Sequence, residues 1–138
     1  MKNEIHIDVA RYRIEKANKN LIEARDALAL GHHELTVGRS YYAVFMAMKA
    51  LLALVGVDSK SHAGTFTLFS RHFLQRNVFP KGFSRIIREA KKIREKSEYG
   101  EFQTVDRDTA ELHLKNAEEF LRRVEAVARE MLIAMNGK

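Results

Sequence analysis

Two segments carry residue types and spacings that could do chemistry. The first is Gly38-Arg39-Ser40-Tyr41-Tyr42-Ala43-Val44-Phe45, where an arginine enters an otherwise apolar run beside paired tyrosines. A guanidinium is costly to bury unless it is satisfied, and its planar fork suits a phosphate or a carboxylate. The bland alternative puts Arg39 and Tyr41 at a helix end, with Tyr42 and Phe45 in the core. The second segment is Ile93-Arg94-Glu95-Lys96-Ser97-Glu98-Tyr99-Gly100-Glu101-Phe102, a basic stretch giving way to a short polar loop with an aromatic. Arg94 could grip a phosphate there while Tyr99 stacks a base. Equally, Arg94 could pair with Glu98 one helical turn on, with Tyr99 plugging the helix end.

Other signatures are missing. There is no Gly-rich phosphate loop, no His-Glu-x-x-His and no nucleophile elbow. The six histidines, His6, His32, His33, His62, His72 and His113, include no i, i+4 pair on one predicted helix, so no metal or other cofactor is expected.

The elements that must position these residues all read at helical period. Pro80 and the glycines at 31, 56, 64, 82 and 100 punctuate the chain, and no stretch alternates convincingly as a strand. A first helix is predicted over about Asp8 to Leu30, with Ile14, Ala17, Leu21, Ala24 and Leu28 along one face and Gly31 as C-cap. A second spans about Glu34 to Val55 and becomes apolar almost all round, which places it in the middle of a bundle or shares it with a second subunit. Ser59 or Ser61 is expected to cap a third, reaching about Gln75 with Phe66, Phe69 and Phe73 on one side. A turn around Pro80 leads to a basic fourth helix over about Phe83 to Lys96, whose Phe83, Ile86, Ile87, Ala90 and Ile93 form an inward stripe. The last runs over about Asp106 to Met135, capped by Asp106 or Asp108, with a seam of Ala110, Leu114, Ala117, Leu121, Val124, Ala128 and Met131. The first and last helices share this pattern and are expected to pack side by side.

At 138 residues the chain suits one domain, 1–138, large enough for a core without staples. It has no cysteine, which excludes disulfides and fits a reducing cytoplasm. The opening residues lack the apolar core of a signal peptide, and the longest apolar stretch, Tyr41 to Val55, is interrupted by Lys49 and too short for a membrane span. Net charge of +6 and a pI near 9.7 favour anionic partners such as RNA, nucleotides or an acidic protein face, or serve solubility alone.

With the helix pattern, four motifs in order make the chain resemble the HEPN family, in its compact single-domain branch. Arg39, Tyr41, Tyr42, Ala43 and Phe45 match Arg-x-Tyr-Tyr-Ala-x-Phe; Lys60-Ser61-His62-Ala63-Gly64 matches a His-containing turn before a Phe-rich helix, here carrying Phe69. Arg94 and Tyr99 match Arg-x4-Tyr, and Ala110, Ala117 and Phe120 match the closing Ala-x6-Ala-x2-Phe. The resemblance covers about residues 8 to 135. It implies an all-α, up-and-down bundle of about five helices, often a homodimer, that binds or acts on RNA or nucleotides. It also implies pairing with a small nucleotidyltransferase in a toxin–antitoxin-like system.

Ribonucleases of the family carry an Arg-x4–6-His motif, and here the chain departs from it. Counted from Arg94, the histidine positions hold Tyr99, Gly100 and Glu101. Arg25 with His32 and Arg107 with His113 have the spacing but not the place. Tyrosine with an ordinary pKa near 10 is a poor general base at neutral pH. The expected function is therefore binding of nucleotide or RNA, with a pocket lined by Arg39, Tyr42, His62, Arg94 and Tyr99. Two alternatives stay open: a metal-independent ribonuclease toxin that recruits a histidine from elsewhere, His62 first, and a non-catalytic protein-interaction subunit.

Overall fold

The computed structural model describes residues 2–98 and 105–136. These form α1 (Lys2–Ala29), α2 (His33–Leu54), α3 (His62–Phe69), α4 (Gly82–Glu98) and α5 (Arg107–Asn136), and α3 runs on as a π-helical turn over Ser70–Leu74. No strand occurs among the described residues. The architecture is the expected all-α bundle.

Local chemistry sets the helix ends. Gly31 and Gly56 adopt φ of +81° and +75°, where a Cβ would be strained, and each turns the chain out of a helix. Around Gly31, His32 N–H donates to Ala27 C=O and Gly31 N–H to Leu28 C=O; Val57 and Gly56 repeat the pattern on Leu52 and Ala53. Ser61, rather than Ser59, caps α3, its hydroxyl accepting from Gly64 N–H at 2.9 Å. Asp106 caps α5 by accepting from Thr109 N–H at 2.8 Å, and the Thr109 hydrogen bonds hold this carboxyl below its ordinary range. The start of α1 lies six residues earlier than Asp8, and within that added segment Ile7 packs on the core.

The nearly all-apolar α2 runs through the middle of the bundle. It packs most extensively on α1, then on α5, and also touches α3 and α4. Its buried residues include Ala43, Val44, Ala47, Met48, Leu51 and Leu52, so this chain's own helices cover its apolar run. The outer helices α1 and α5 do meet, and Arg25 bridges to Glu118 at 2.8 Å. Each nonetheless leans chiefly on α2 rather than on the other.

At one flank Phe69, Phe79, Phe83 and Phe120 interlock, joining α3, the turn before Pro80, α4 and α5. Phe79 is the unexpected member: it sits in the turn yet is only 5 % exposed.

Candidate functional site

Tyr41 and Phe45 stand one turn apart on α2, so their rings share a face and stack at 6.1 Å. The loop after Gly56 returns the chain across that face and sets His62 at the first position of α3. The His62 ring stacks on Phe45 at 4.2 Å, and its Nδ1 is hydrogen-bonded to the Tyr41 hydroxyl at 2.6 Å. Tyr42 approaches the same imidazole edge-on at 6.5 Å. Tyr41 is buried, whereas Tyr42, Phe45 and His62 are half-buried. The result is an imidazole of fixed orientation on an aromatic platform.

A polar clamp holds the returning loop. Lys49, one turn beyond Phe45, places Nζ 5.7 Å from that ring's centre and donates to Ser59 C=O at 3.3 Å. The same ammonium lies 3.4 Å from Asp58, and Arg13 of α1 reaches Asp58 at 3.3 Å while donating to Lys49 C=O at 2.9 Å. Burial acts to raise the Asp58 carboxyl, but the Ser59 N–H and the charges of Arg13 and Lys49 outweigh it and leave it below its ordinary value. Sequence reasoning missed this clamp. Its signal was Lys49, the one charge inside the apolar stretch from Tyr41 to Val55.

The other expected site residues divide. The Arg39 guanidinium turns to α1, 3.3 Å from Glu23 and 3.5 Å from Asn20 Oδ1, and takes no part in the Tyr41–His62 group. This is a satisfied surface-facing arginine, the helix position two residues from Tyr41 having carried it to another side of α2. Arg94 is placed as a position on α4, its side chain outside the described residues, and Tyr99 lies outside them altogether. The turn that carries Arg94 does adjoin the site. Tyr41 borders a narrow cleft between α2, α4 and α5 together with Ser40, Ala90, Ile93, His113 and Asn116.

The two other arginine–histidine spacings assemble nothing. Arg25 is taken up by Glu118, and Arg107 is exposed and donates to Glu111 at 2.7 Å. His113 instead turns into the cleft, where burial lowers its pKa against the opposing pull of Glu89. Among the described residues no three His, Asp or Glu side chains converge as metal ligands.

Ser40 in this cleft is 2 % exposed and its hydroxyl has no hydrogen-bond partner among the described residues. Removing an unpaired buried hydroxyl relieves its desolvation penalty. Ser40→Ala is therefore expected to leave stability within about 0.5 kcal/mol of the parent or to raise it, read by urea denaturation. A loss above about 1 kcal/mol would mean that the hydroxyl is satisfied after all.

Comparison with known proteins adds an independent line. The profile described as HEPN domain matches residues 10–127. A "UPF0332 protein" of Archaeoglobus fulgidus is 35% identical over 117 residues, 85% of this chain and 93% of its own. A "Putative toxin" of Methanocaldococcus jannaschii is 32% identical over 122 residues, 86% of this chain and 88% of its own. A "UPF0332 protein" of Thermotoga maritima is 24% identical over 123 residues, 89% of this chain and 93% of its own. The family match, residues 10–127, takes in α2, the loop to α3 and most of α5, where the site and its supports lie.

Proposed function

This chain belongs to the HEPN domain family, and on that premise we propose that it is a module binding a nucleotide or RNA at the Tyr41–His62 site. It works with a partner protein, such as a small nucleotidyltransferase, in a toxin–antitoxin-like pair in the cytoplasm. The observation that carries this reading is the His62 ring, stacked on Phe45 at 4.2 Å and tied to the Tyr41 hydroxyl at 2.6 Å, half-buried beside Tyr42. Half-buried aromatic faces are what a nucleobase stacks on, and an oriented imidazole serves a phosphate or a base edge. The α4 turn that bears Arg94 borders Tyr41 through Ile93, and this gives Arg94 its part in the proposed site.

No helix among the described residues is long and apolar enough to cross a membrane. A homodimer belongs to the proposal on family habit alone, since α2 is covered within the chain. Light scattering showing only a 15.9 kDa species at micromolar concentration would remove it.

The test is retention of a labelled RNA pool without metal, with His62→Ala and Arg94→Ala beside the parent. Each substitution removes a stacking or phosphate interaction of about 1–3 kcal/mol, so binding should weaken on the order of 10- to 100-fold. Retention unchanged in both variants would sink the reading. The ribonuclease alternative draws on the His62 imidazole, held by the Tyr41 hydroxyl at 2.6 Å, as the histidine that would stand in for the one the motif lacks. Metal-free cleavage abolished in both variants would establish it in place of simple binding.

A further inference from the structure

The charge of this protein is concentrated on one part of the fold. Residues 59–98 hold ten Lys and Arg against three Asp and Glu, a net +7, so the remainder of the chain sums to −1. Within that part α4 is cleanly two-sided. Phe83, Ile86, Ile87 and Ala90 face the core, and Ile93 borders the cleft beside Tyr41. On the far side Arg85, Arg88, Lys92 and Lys96 recur at spacings of three, four and four, all exposed. At about 100° per residue the four fall within an arc of roughly 80° and span roughly 16 Å of helix.

Little among the described residues answers this row. Arg85 bridges to Glu89 at 3.0 Å and remains 75% exposed, while Arg88, Lys92 and Lys96 form no ion pair among the described residues. Arg88, Lys92 and Lys96 are successive i, i+4 neighbours, and like charges at that spacing weaken a helix. The long helices contrast with this. Acids and bases interleave along α1 and α5, and their arginines find carboxylates, Arg107 at Glu111 and Arg25 at Glu118. The row is also bare of apolar anchors. Every large exposed hydrophobic among the described residues lies at or before Val55 or at or after Leu112. A protein partner docks through buried aromatic or aliphatic anchors, which this face does not offer.

We infer that the outer face of α4 is a sequence-independent contact surface for the backbone of single-stranded RNA, tracked by Arg85, Arg88, Lys92 and Lys96. Cations about 6 Å apart along the axis meet successive phosphates of one strand, and the interaction is electrostatic, so it is governed by salt. The row is distinct from the Tyr41–His62 site and leads to it, because the α4 turn at its C-terminal end carries Ile93, which lines the cleft together with Tyr41. That the polyanion is RNA rests on the function proposed above.

The test compares the parent with Arg88→Gln/Lys92→Gln/Lys96→Gln, surface changes that circular dichroism should show to be folded. Two probes are read by fluorescence anisotropy or calorimetry: a labelled oligouridylate of about 12 nucleotides and adenosine 5′-monophosphate. Between about 50 and 200 mM salt, log affinity for the oligonucleotide should fall less steeply in the variant. The slope should flatten by about 2, at about 0.7 for each phosphate that the variant no longer neutralises. Monophosphate binding should be unchanged, and His62→Ala should do the reverse, weakening the monophosphate and leaving the slope. An unaltered slope in the triple variant, with monophosphate still bound, overturns the α4 surface alone. Failure of the parent to bind either probe overturns the proposed function and the surface together. A polyglutamate peptide of equal charge that competes as well as the oligonucleotide also overturns the assignment, in favour of an acidic protein.

Discussion

Phe120→Ala is expected to lower stability by about 3–5 kcal/mol, the range for emptying a large aromatic site in a core. Phe120 is fully buried, with ring centres at 5.8 Å from Phe69, 5.8 Å from Phe79 and 6.1 Å from Phe83. Those three partners come from α3, the turn before Pro80, and α4, so one side chain of α5 ties three other segments together. Truncation leaves a cavity lined by rigid rings, which collapse poorly, so the cost falls at the high end of the range. Domains of this kind have only about 5–15 kcal/mol in total, and the variant should be close to unfolding at 37 °C. Urea denaturation followed by helical circular dichroism provides the measurement. Should the alanine variant not fold at all, Phe120→Leu decides the matter, since keeping most of the volume should cost less than about 1.5 kcal/mol. A leucine variant as damaged as the alanine one would contradict the packing argument.

The second large effect is at Gly64, and its sign is the informative part. Alanine is the better helix residue by up to about 1 kcal/mol, so Gly64→Ala in an open position of α3 would stabilise. Here the added Cβ would overlap Ser59 Oγ and press on Ser61 Oγ at 2.8 Å. Both hydroxyls have work to do: Ser61 caps α3, and Ser59 accepts from Ser61 N–H at 3.3 Å. Displacing them costs the cap, about 1 kcal/mol, and loosens the turn whose next residue is His62. Gly64→Ala should therefore lose about 1–2 kcal/mol and also weaken RNA retention, although residue 64 touches no ligand. Adding Ser59→Gly removes the obstructing side chain and should recover part of both. A single variant as stable as the parent, with retention intact, would mean that the loop before α3 has room the packing denies it.

Both effects bear on how the site and the basic face divide the work. The Tyr41–His62 group needs the loop held by Arg13, Lys49 and Asp58 and the cap at Ser61, whereas the row on α4 needs only that the helix form. Substitutions that spoil the site should therefore leave salt-dependent retention of long RNA partly in place.

What the amino-acid sequence determined by itself was everything local or periodic. The stripe of Ala17, Leu21 and Ala24 on α1, the seam from Ala110 to Ala128 on α5, and the near-continuous apolar run of α2 placed the helices to within a few residues, the earlier start of α1 at Lys2 excepted, because burial repeats at 3.6 residues. Glycines at 31 and 56 marked stops because few other residues tolerate positive φ. The ordered motifs led to the family. Only the tertiary structure decided which distant side chains meet. Nothing between positions 41 and 62 announces a 2.6 Å bond between Tyr41 and His62, since it depends on where a seven-residue loop, Val55–Ser61, returns across α2. Arg39 is near them in sequence, yet two residues along a helix is about 200°, which delivers it to Glu23 of α1 rather than to the pocket expected for it. Phe79 is hidden in a turn without periodicity, and Asp58 in a loop whose charge makes sense only beside Arg13 and Lys49. Sequence spacing encodes direction along an element; contact between elements is a property of their packing.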